Sequence, residues 1–333
     1  MKKLITFFKY LLATIIASVA LYGVYQLLPQ RTIMFGAWTE GFYDAETRTL
    51  HPEELQSFEK RVNKKAAIAH YYRGWEALER KDLLDEFATL RSNGWQPMLN
   101  SNPYYVSECE YVKGKTLYRA IADGHCDVFL RKAGANLAKV DEPFFFLFAW
   151  EMNNKDLEWS IKQTGSSGQD FVDAWRHMHD IFEEEGATNI LWVFCPNTQD
   201  KNSISYADIY PGDDYVDWVG IDGYNWGETQ SWSDWSSFSG VFTASYRNIT
   251  AVAPDKPVMI AEFNSTDVGG NKANWYKEAL EEEIPYRFPH IKAIVIYDED
   301  RTEQEKVNWK VDVSEESLEA FKQSIQIKYY NSN

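Results

Sequence analysis

Residues 144–150, with the sequence FFFLFAW, end at Glu151, and residues 257–261, with the sequence PVMIA, end at Glu262. Each run is short and apolar, as buried strands are, and each is followed at once by a carboxylate. At the carboxyl end of a buried barrel strand, a carboxylate points into a cleft. Two such carboxylates can carry out the acid, base and nucleophilic steps on a glycosidic bond. The pair therefore indicates both a fold and a chemistry.

Similar runs, rich in β-branched and aromatic residues, alternate with helix-like stretches from residue 33 onward. Alternation of this kind requires parallel pairing through crossovers, and eight units predict an α/β fold closed into a single (β/α)8 TIM barrel. An open doubly wound sheet is the alternative, but Gly36-Ala37-Trp38 after the first run is not a phosphate-binding glycine loop. The predicted strands are residues 33–38, 66–72, 95–99, 144–150, 190–194, 216–221, 258–263 and 291–297, and the predicted helices include residues 52–62, 82–92, 117–138, 168–185 and 271–283.

The amino terminus predicts a membrane anchor. Lys2, Lys3 and Lys9 precede residues 11–28, a mostly apolar segment of ~18 residues, which is enough to span a bilayer. Because apolar residues continue past the small-residue motif at 18–20, we expect an uncleaved single-pass helix, with the rest of the chain periplasmic or extracellular. A cleaved secretory signal is the alternative and gives the same compartment. We expect an anchor at residues 1–30, one catalytic domain at 31–327 and a tail at 328–333.

Charge and cysteine content restrict the partners. The formal charge of −16 argues against a nucleic-acid partner, because a phosphate-binding face needs clustered basic residues. No Cys or His spacing typical of a metal site occurs, and we expect neither a metal nor a cofactor. Outside the cytoplasm Cys109 and Cys126 could form a disulfide or stay reduced, which would leave Cys195 as a buried free thiol.

The residues that follow the predicted strands are polar and aromatic, unlike the strands themselves. A carboxylate at a strand end often only caps the next helix, as Asp and Asn commonly do. Glu is a poor N-cap, so this explanation is weaker for Glu151 and Glu262 than for Asp222. Buried charge also needs a functional or structural reason.

Three motifs are similar to glycoside hydrolase family 26. They are WEMN at residues 150–153, YPGDDYVDWVGIDGYN at 210–225 and IAEF at 260–263, and the likeness extends from residue 33 to about residue 325. That family contains β-mannanases, β-glucanases and xylanases and belongs to the retaining barrel enzymes with glutamates on strands four and seven. The resemblance implies that Glu151 is the acid/base, Glu262 the nucleophile and Tyr224 a hydrogen-bond donor to the nucleophile. It also implies that Asp222 contacts the sugar at the bond being cut and that Trp159 lines the donor side.

The predicted function is a retaining endo-β-glycosidase that hydrolyses a mannan, glucan or xylan type of polysaccharide by double displacement. Aromatic rings at strand ends can stack on sugar faces, and we expect Trp38, Trp226, Tyr297 and Trp150 in this role, although Trp150 and Tyr297 could equally be core residues. Asn153, two residues after the acid/base, completes the predicted substrate-binding set.

Two positions depart from the family pattern. Trp150 replaces the usual His before the acid/base, and Leu147 stands where an Arg is expected. Mannan specificity is therefore open. Two alternative functions remain: a non-catalytic glycan-binding barrel in a polysaccharide synthesis or export complex, and a transglycosylase, in which an acceptor sugar replaces water in the second step.

Overall fold

The computed structural model of the protein describes residues 32–103, 109, 114–198 and 204–331. Within these residues, eight parallel strands pair in sequence order and the first pairs with the eighth. The closing pair runs in register from Met34 beside Ala293 to Thr39 beside Asp298. The predicted (β/α)8 barrel is therefore confirmed. Its strands are β1 (Ile33–Thr39), β2 (Ile68–Gly74), β3 (Gln96–Asn102), β4 (Phe144–Phe148), β5 (Ile190–Phe194), β6 (Trp218–Asn225), β7 (Val258–Ser265) and β8 (Ile291–Asp298).

The barrel strands are the eight apolar runs predicted from the sequence. Every residue of β4 and β7 is buried, as expected for strands covered by side chains inside the barrel and by helices outside it. The largest difference in bounds is at β6, which continues four residues beyond the predicted end at Ile221 to Asn225. This extension changes which side chains reach the rim of the barrel, the edge formed by the carboxyl ends of the strands.

The helices cover the outside of the barrel. The longest, α5 (Gly168–Glu184), begins with a capping box in which Ser167 and Asp170 each bond the other's backbone NH group. The single helix predicted at residues 117–138 is wrong: it is interrupted after Ala122, and Gly124 follows with a φ of 84° that ends a helix readily. The α-helices are α1 (Pro52–Val62), α2 (Lys81–Ser92), α3 (Leu117–Ala122), α4 (Asp127–Leu137), α5 (Gly168–Glu184), α6 (Phe238–Val252), α7 (Lys272–Lys277), α8 (Ile284–Arg287), α9 (Thr302–Glu305) and α10 (Glu315–Ser324).

Shorter elements complete the chain. A π-helical turn at Glu278–Glu283 joins α7 to α8, so the helix predicted at residues 271–283 continues beyond its expected end. After β8, the strands Asp300–Arg301 and Val307–Asn308 pair antiparallel with α9 between them. Further short elements are the strand pair Tyr43–Asp44 and Thr49–Leu50, the strand Tyr330–Asn331 beside β1, and the 3-10 helices Trp75–Ala77, Tyr206–Asp208 and Asp213–Tyr215.

The structure shows the state of the three cysteines and bears on the search for membrane-spanning helices. Cys109 and Cys126 form a disulfide, and Cys195 is a buried free thiol. Across the stretches the structure describes, no helix combines the length and apolar character needed to cross a bilayer. The predicted anchor, residues 11–28, lies outside the described residues.

Candidate active site

A strained turn after β4 carries Glu151. Ala149 has a φ of 48° and Glu151 a φ of 53°, and the left-handed conformation costs a residue with a side chain about 1–2 kcal/mol. Two backbone hydrogen bonds to neighbouring segments hold this turn: Ala149 N donates to Ser101 O at 2.8 Å, and Glu151 N donates to Cys195 O at 2.7 Å. The neighbouring segments thus fix the backbone at the residue that sequence reasoning selects as the acid/base.

Glu262 lies within β7, at a bulge. Against β6, Ile221 pairs with Ile260 but Asp222 pairs with Glu262, so β7 carries one extra residue at Ala261. The pairing with β8 shifts in the same place, between Ile260 and Phe263. A bulge re-aims the side chains beside it and is common next to active sites.

Three neutral donors surround the Glu262 carboxyl group. Tyr224 Oη donates to Oε2 at 2.6 Å, and Tyr72 Oη donates to Oε1 at 2.6 Å. Asn100 Nδ2 adds a longer bond to Oε1 at 3.3 Å. Hydrogen bonds donated to a carboxylate stabilise its ionised form, so the two phenols lower the pKa of Glu262 against the opposing effect of burial. The predicted neighbour Tyr224 is in place, and Tyr72 is a second phenol with the same contact.

Two side-chain amides hold Glu151. Asn154 Nδ2 donates to Oε2 at 2.7 Å, and Asn197 Nδ2 donates to Oε1 at 2.5 Å. Asn153 does not fit its predicted role as a sugar contact, because both atoms of its side-chain amide bond the backbone of Asn197. Its Oδ1 accepts from Asn197 N at 2.8 Å, and its Nδ2 donates to Asn197 O at 2.9 Å. Asn153 therefore positions the amide that contacts Glu151.

The three carboxyl groups Glu151, Asp222 and Glu262 meet in one buried cluster. One oxygen from each lies within 4.8 Å of the others, and the three residues are 7%, 0% and 5% exposed. Burial raises the pKa of all three, and the Glu151 charge raises that of Glu262 further, to about 8, against the phenol hydrogen bonds. The cluster therefore retains protons at neutral pH, as a site that needs one carboxylic acid and one carboxylate requires.

Asp222 differs from its predicted role. Its side chain has no exposed surface, because β6 extends three residues past it and Tyr224, not Asp222, reaches the rim. Its Oδ1 accepts a hydrogen bond from the Cys195 thiol at 3.3 Å. The prediction that Asp222 contacts sugar is corrected: the side chain faces the two glutamates from below.

Two of the four predicted stacking residues are buried. Trp38 and Trp150 are 8% and 9% exposed, so neither presents an open face to a sugar ring; this corrects the role predicted for Trp38 and gives Trp150 the core position that was its alternative. Trp159, predicted to line the donor side, is 8% exposed. Trp150 packs against Trp159 with ring centroids 4.4 Å apart, and Trp159 Nε1 donates to Trp150 O at 2.8 Å. Tyr297 and Trp226 are half-buried and keep accessible ring surface.

Glu299 joins two of these aromatic rings. Trp38 Nε1 donates to Glu299 Oε2 at 2.9 Å, and Tyr297 Oη donates to the same oxygen at 2.5 Å. The two rings lie nearly parallel with centroids 6.4 Å apart. Glu299 thus orients the aromatic wall contributed by β1 and β8.

Sequence reasoning gave no role to five residues around the glutamates. Tyr72, Asn100 and Asn197 stand at the ends of predicted strands, where polar and aromatic side chains are expected, whereas Asn154 and His70 do not. His70 Nε2 lies 3.8 Å from Glu262 Oε1, and complete burial lowers the pKa of His70 to about 3. The imidazole is therefore neutral beside the carboxylate.

Three clustered carboxylates are also a possible cation site. Here, however, the oxygens of Glu262 and Glu151 accept bonds from phenol and amide groups, which carry hydrogens where a cation would bind. The donor set fits a shared proton better than a divalent ion. A closed parallel barrel with two facing, buried glutamates after its fourth strand and on its seventh is the arrangement of a barrel glycoside hydrolase.

Comparison with known proteins gives the family. The model of glycosyl hydrolase family 26 matches residues 104–316, and the chain belongs to this family.

Individual relatives have different names. The chain is 30% identical over 304 residues to Endoglucanase H of Acetivibrio thermocellus, across 88% of this chain but only 30% of that protein's length. It is 25% identical over 276 residues to a mannan endo-1,4-beta-mannosidase of Bacillus subtilis strain 168, across 74% of this chain and 69% of that one. The catalytic domain of an endo-beta-1,4-mannanase from Bacillus sp. JAMB-750 shares the fold, with a TM-score of 0.66, 18% identity and coverage of 90% and 87%.

Proposed function

We propose that this protein is a retaining endo-β-glycanase in which Glu262 is the nucleophile and Glu151 the acid/base. The observation that carries the proposal is the approach of the two carboxyl groups, with oxygens within 4.8 Å of each other. Retaining enzymes place the carboxyl groups about 5–5.5 Å apart, whereas inverting enzymes leave room for a water at about 6.5–9.5 Å. The short separation supports direct attack by a carboxylate.

The hydrogen-bond partners support the division of roles. Glu262 accepts from two phenols and one amide, which favours the carboxylate required for attack. Glu151 accepts from two amides, and its burial favours the protonated form required of an acid. Repulsion between the two carboxylates, which raises the pKa of Glu262, keeps the pair from losing both protons together.

The first step forms a covalent intermediate. A carboxylate oxygen of Glu262 bonds to the anomeric carbon while the glycosidic C–O bond breaks, and the Glu151 proton passes to the departing oxygen. In the second step the Glu151 carboxylate takes a proton from water, and the water oxygen displaces Glu262 from the anomeric carbon. Two inversions leave the configuration of the sugar unchanged.

A β-glucan backbone is the substrate that we favour over mannan. Endoglucanase H matches a larger share of this chain at higher identity than the mannan endo-1,4-beta-mannosidase does. In addition, Trp150 supplies a packed indole directly before Glu151, where the family resemblance leads us to expect His. An apolar residue removes a polar partner from the sugar at the cleavage point, and this changes which hydroxyl pattern is accepted.

A polysaccharide panel tests the function. Residues 32–333 are incubated with soluble β-glucans, mannans and xylans, and new reducing ends are measured for the wild type, Glu262→Gln and the control Glu303→Gln, an exposed rim residue. We expect the highest rate on a β-glucan, loss of at least about a thousandfold in Glu262→Gln, and no change in the control. Full activity of Glu262→Gln would overturn the assignment of Glu262 as the nucleophile, and a preference for mannan would overturn the proposal that the substrate is a β-glucan.

The catalytic domain works outside the cytoplasm in this proposal. The Cys109–Cys126 disulfide supports it, because such bonds persist in oxidising compartments, and the apolar segment at residues 11–28 supplies a means of anchoring. Fractionation of cells that express the full chain tests this point. We expect the protein in membranes, with its catalytic domain cut by protease added outside spheroplasts. A protease-protected protein in the soluble cytoplasmic fraction would contradict it.

A further inference from the structure

A pocket separate from the carboxyl cluster opens at the rim beyond β6. It has a volume of about 240 Å³, which suits one sugar ring rather than a longer chain. The loop after β6 forms one wall, and the segment around α9 forms the other. The lining residues are Trp226, Gln230, Trp232, Gln304, Glu305 and Lys306.

Trp232 is the unusual residue of this pocket. It is 69% exposed, the largest exposed fraction among the large hydrophobic residues of the described chain. Its ring centroid lies 5.5 Å from that of Trp226, at an interplanar angle of 59°. An indole left in water loses the stabilisation that burial would give, and here two indoles lie side by side at the pocket.

The loop that holds Trp232 is firmly built. Asn225 Oδ1 accepts from Gly227 N at 3.2 Å and from Ser236 N at 2.9 Å, which closes the loop at its base. Ser233 Oγ donates to Gly227 O at 2.7 Å. Gly227 has a φ of 51° and lies so close to Val268 O that a Cβ would not fit. The fold therefore holds the backbone of the loop that carries Trp232 in place, which reduces the entropy cost of binding a ligand.

A chain of aromatic contacts links this pocket to the nucleophile. Trp226 packs edge-on against Trp309 with centroids 4.9 Å apart, and Trp309 packs against Tyr224 at 4.8 Å. Tyr224 in turn donates its phenol hydrogen to Glu262. Trp309 is 2% exposed, so it supports the half-buried rings of Tyr224 and Trp226 from behind, and these two rings mark the route from the carboxyl cluster to Trp232.

The opposite wall offers polar groups. Gln230 Nε2 donates to the backbone oxygen of Glu305 at 2.6 Å, and Arg301 pairs with the Glu305 carboxylate at 3.1 Å. Gln304 and Lys306 complete this edge. One aromatic face and a rim of amide and charged groups match a pyranose, which has an apolar CH face and hydroxyl groups around its edge.

We propose that this pocket is a distal subsite that binds one uncharged hexopyranose unit of the polysaccharide, with Trp232 as its stacking platform. The inference rests on the proposed function and extends it, since it gives the enzyme a preference for long chains. Trp232 contributes binding and takes no part in bond cleavage, so its effect depends on whether the substrate is long enough to reach it.

Substrate length supplies the first test. The variants are Trp232→Ala, Trp232→Phe and the control Tyr286→Ala, which removes another exposed ring, at 66%. We expect Trp232→Ala to lower kcat/KM about tenfold on the preferred polymer and on long oligosaccharides, through KM, and to leave the shortest cleaved oligosaccharide unaffected. Trp232→Phe should recover most of the loss, and the control should match the wild type. An equal loss at every length, or none at any length, would overturn the proposal.

Binding without cleavage supplies the second test and separates this inference from the proposed function. Wild type, Glu262→Gln and Trp232→Ala are run in native gels that contain soluble β-glucan or mannan. We expect retardation of the wild type and of Glu262→Gln, and weaker retardation of Trp232→Ala. If the wild type is retarded but cleaves nothing, the proposed catalysis fails and the subsite stands. If Trp232→Ala is retarded as strongly as the wild type, or if no polymer retards the wild type, the subsite is refuted.

Discussion

Replacing Glu262 by Gln should make the protein more stable while it abolishes activity. Glu262 is 5% exposed and shares its enclosure with Glu151 and Asp222. Burial and the Glu151 charge raise the pKa of Glu262 from an ordinary value of 4.5 to about 8. A carboxyl group with a raised pKa binds more protons when folded than when unfolded, so its contribution to stability falls as pH rises between these two values.

The size of the effect follows from the two pKa values. A difference between 4.5 and about 8 sets an upper limit of about 5 kcal/mol on the stability lost between acid and mildly alkaline pH. Part of this loss of stability comes from Glu151, because the Glu151 and Glu262 carboxyl groups titrate as a pair. Gln keeps the shape but carries no charge, and its amide oxygen can still accept from Tyr72 or Tyr224. We therefore expect the stabilisation by Glu262→Gln to grow by about 2 kcal/mol between pH 5 and pH 8.

Urea unfolding at pH 5 and pH 8 measures this quantity. The free energy of unfolding is compared for wild type, Glu262→Gln and Glu303→Gln, in which the control changes an exposed glutamate on α9. The control should differ from wild type by less than about 0.5 kcal/mol at both values of pH. A stability gain that is equal at pH 5 and pH 8, or a variant less stable than wild type at pH 8, would refute the electrostatic reasoning.

Three further predictions concern the surroundings of the two glutamates. Replacing Tyr224 or Tyr72 by Phe removes one hydrogen bond to the nucleophile and should lower kcat about 10–100-fold with little change in KM, and a change in KM alone would contradict this role. Ala149→Gly should raise the free energy of unfolding by about 0.5–1 kcal/mol by relieving the φ of 48°, whereas Ala149→Val should lower it, and the reverse order in urea titrations would show that the turn is unstrained. Dialysis against EDTA should leave the rate of polysaccharide cleavage unchanged, and restoration of a lost rate by one divalent ion would show that the carboxyl cluster binds metal.

The barrel could be predicted because parallel strands buried on both faces must be apolar along their length. The run at β4 and the run at β7 stand out against polar neighbours, and eight such runs leave few other topologies. The two glutamates were equally visible, since each directly follows or lies near the end of such a run. What periodicity could not show is where a strand ends, and the extension of β6 to Asn225 moved Asp222 from the rim into the interior.

The aromatic residues show a second limit. Trp38 and Trp150 are buried, whereas Trp232, which sequence reasoning did not select, is the most open. The sequence around a tryptophan at a strand end looks the same whether the ring packs inward or faces a ligand. The neighbouring rings and the loop backbone decide between these two outcomes. Helix continuity has the same limit: whether Gly124 interrupts the stretch between α3 and α4 depends on the conformation that the chain adopts there.

Trapping of the covalent intermediate tests the central claim most directly. The wild-type protein is incubated with a 2-deoxy-2-fluoro oligosaccharide donor of the preferred sugar, which slows breakdown of the intermediate, and the labelled peptide is sequenced by mass spectrometry. We expect one sugar per protein, ester-linked to Glu262, and no label in Glu262→Gln. A label on another residue, or product of inverted configuration with no label at all, would contradict the account.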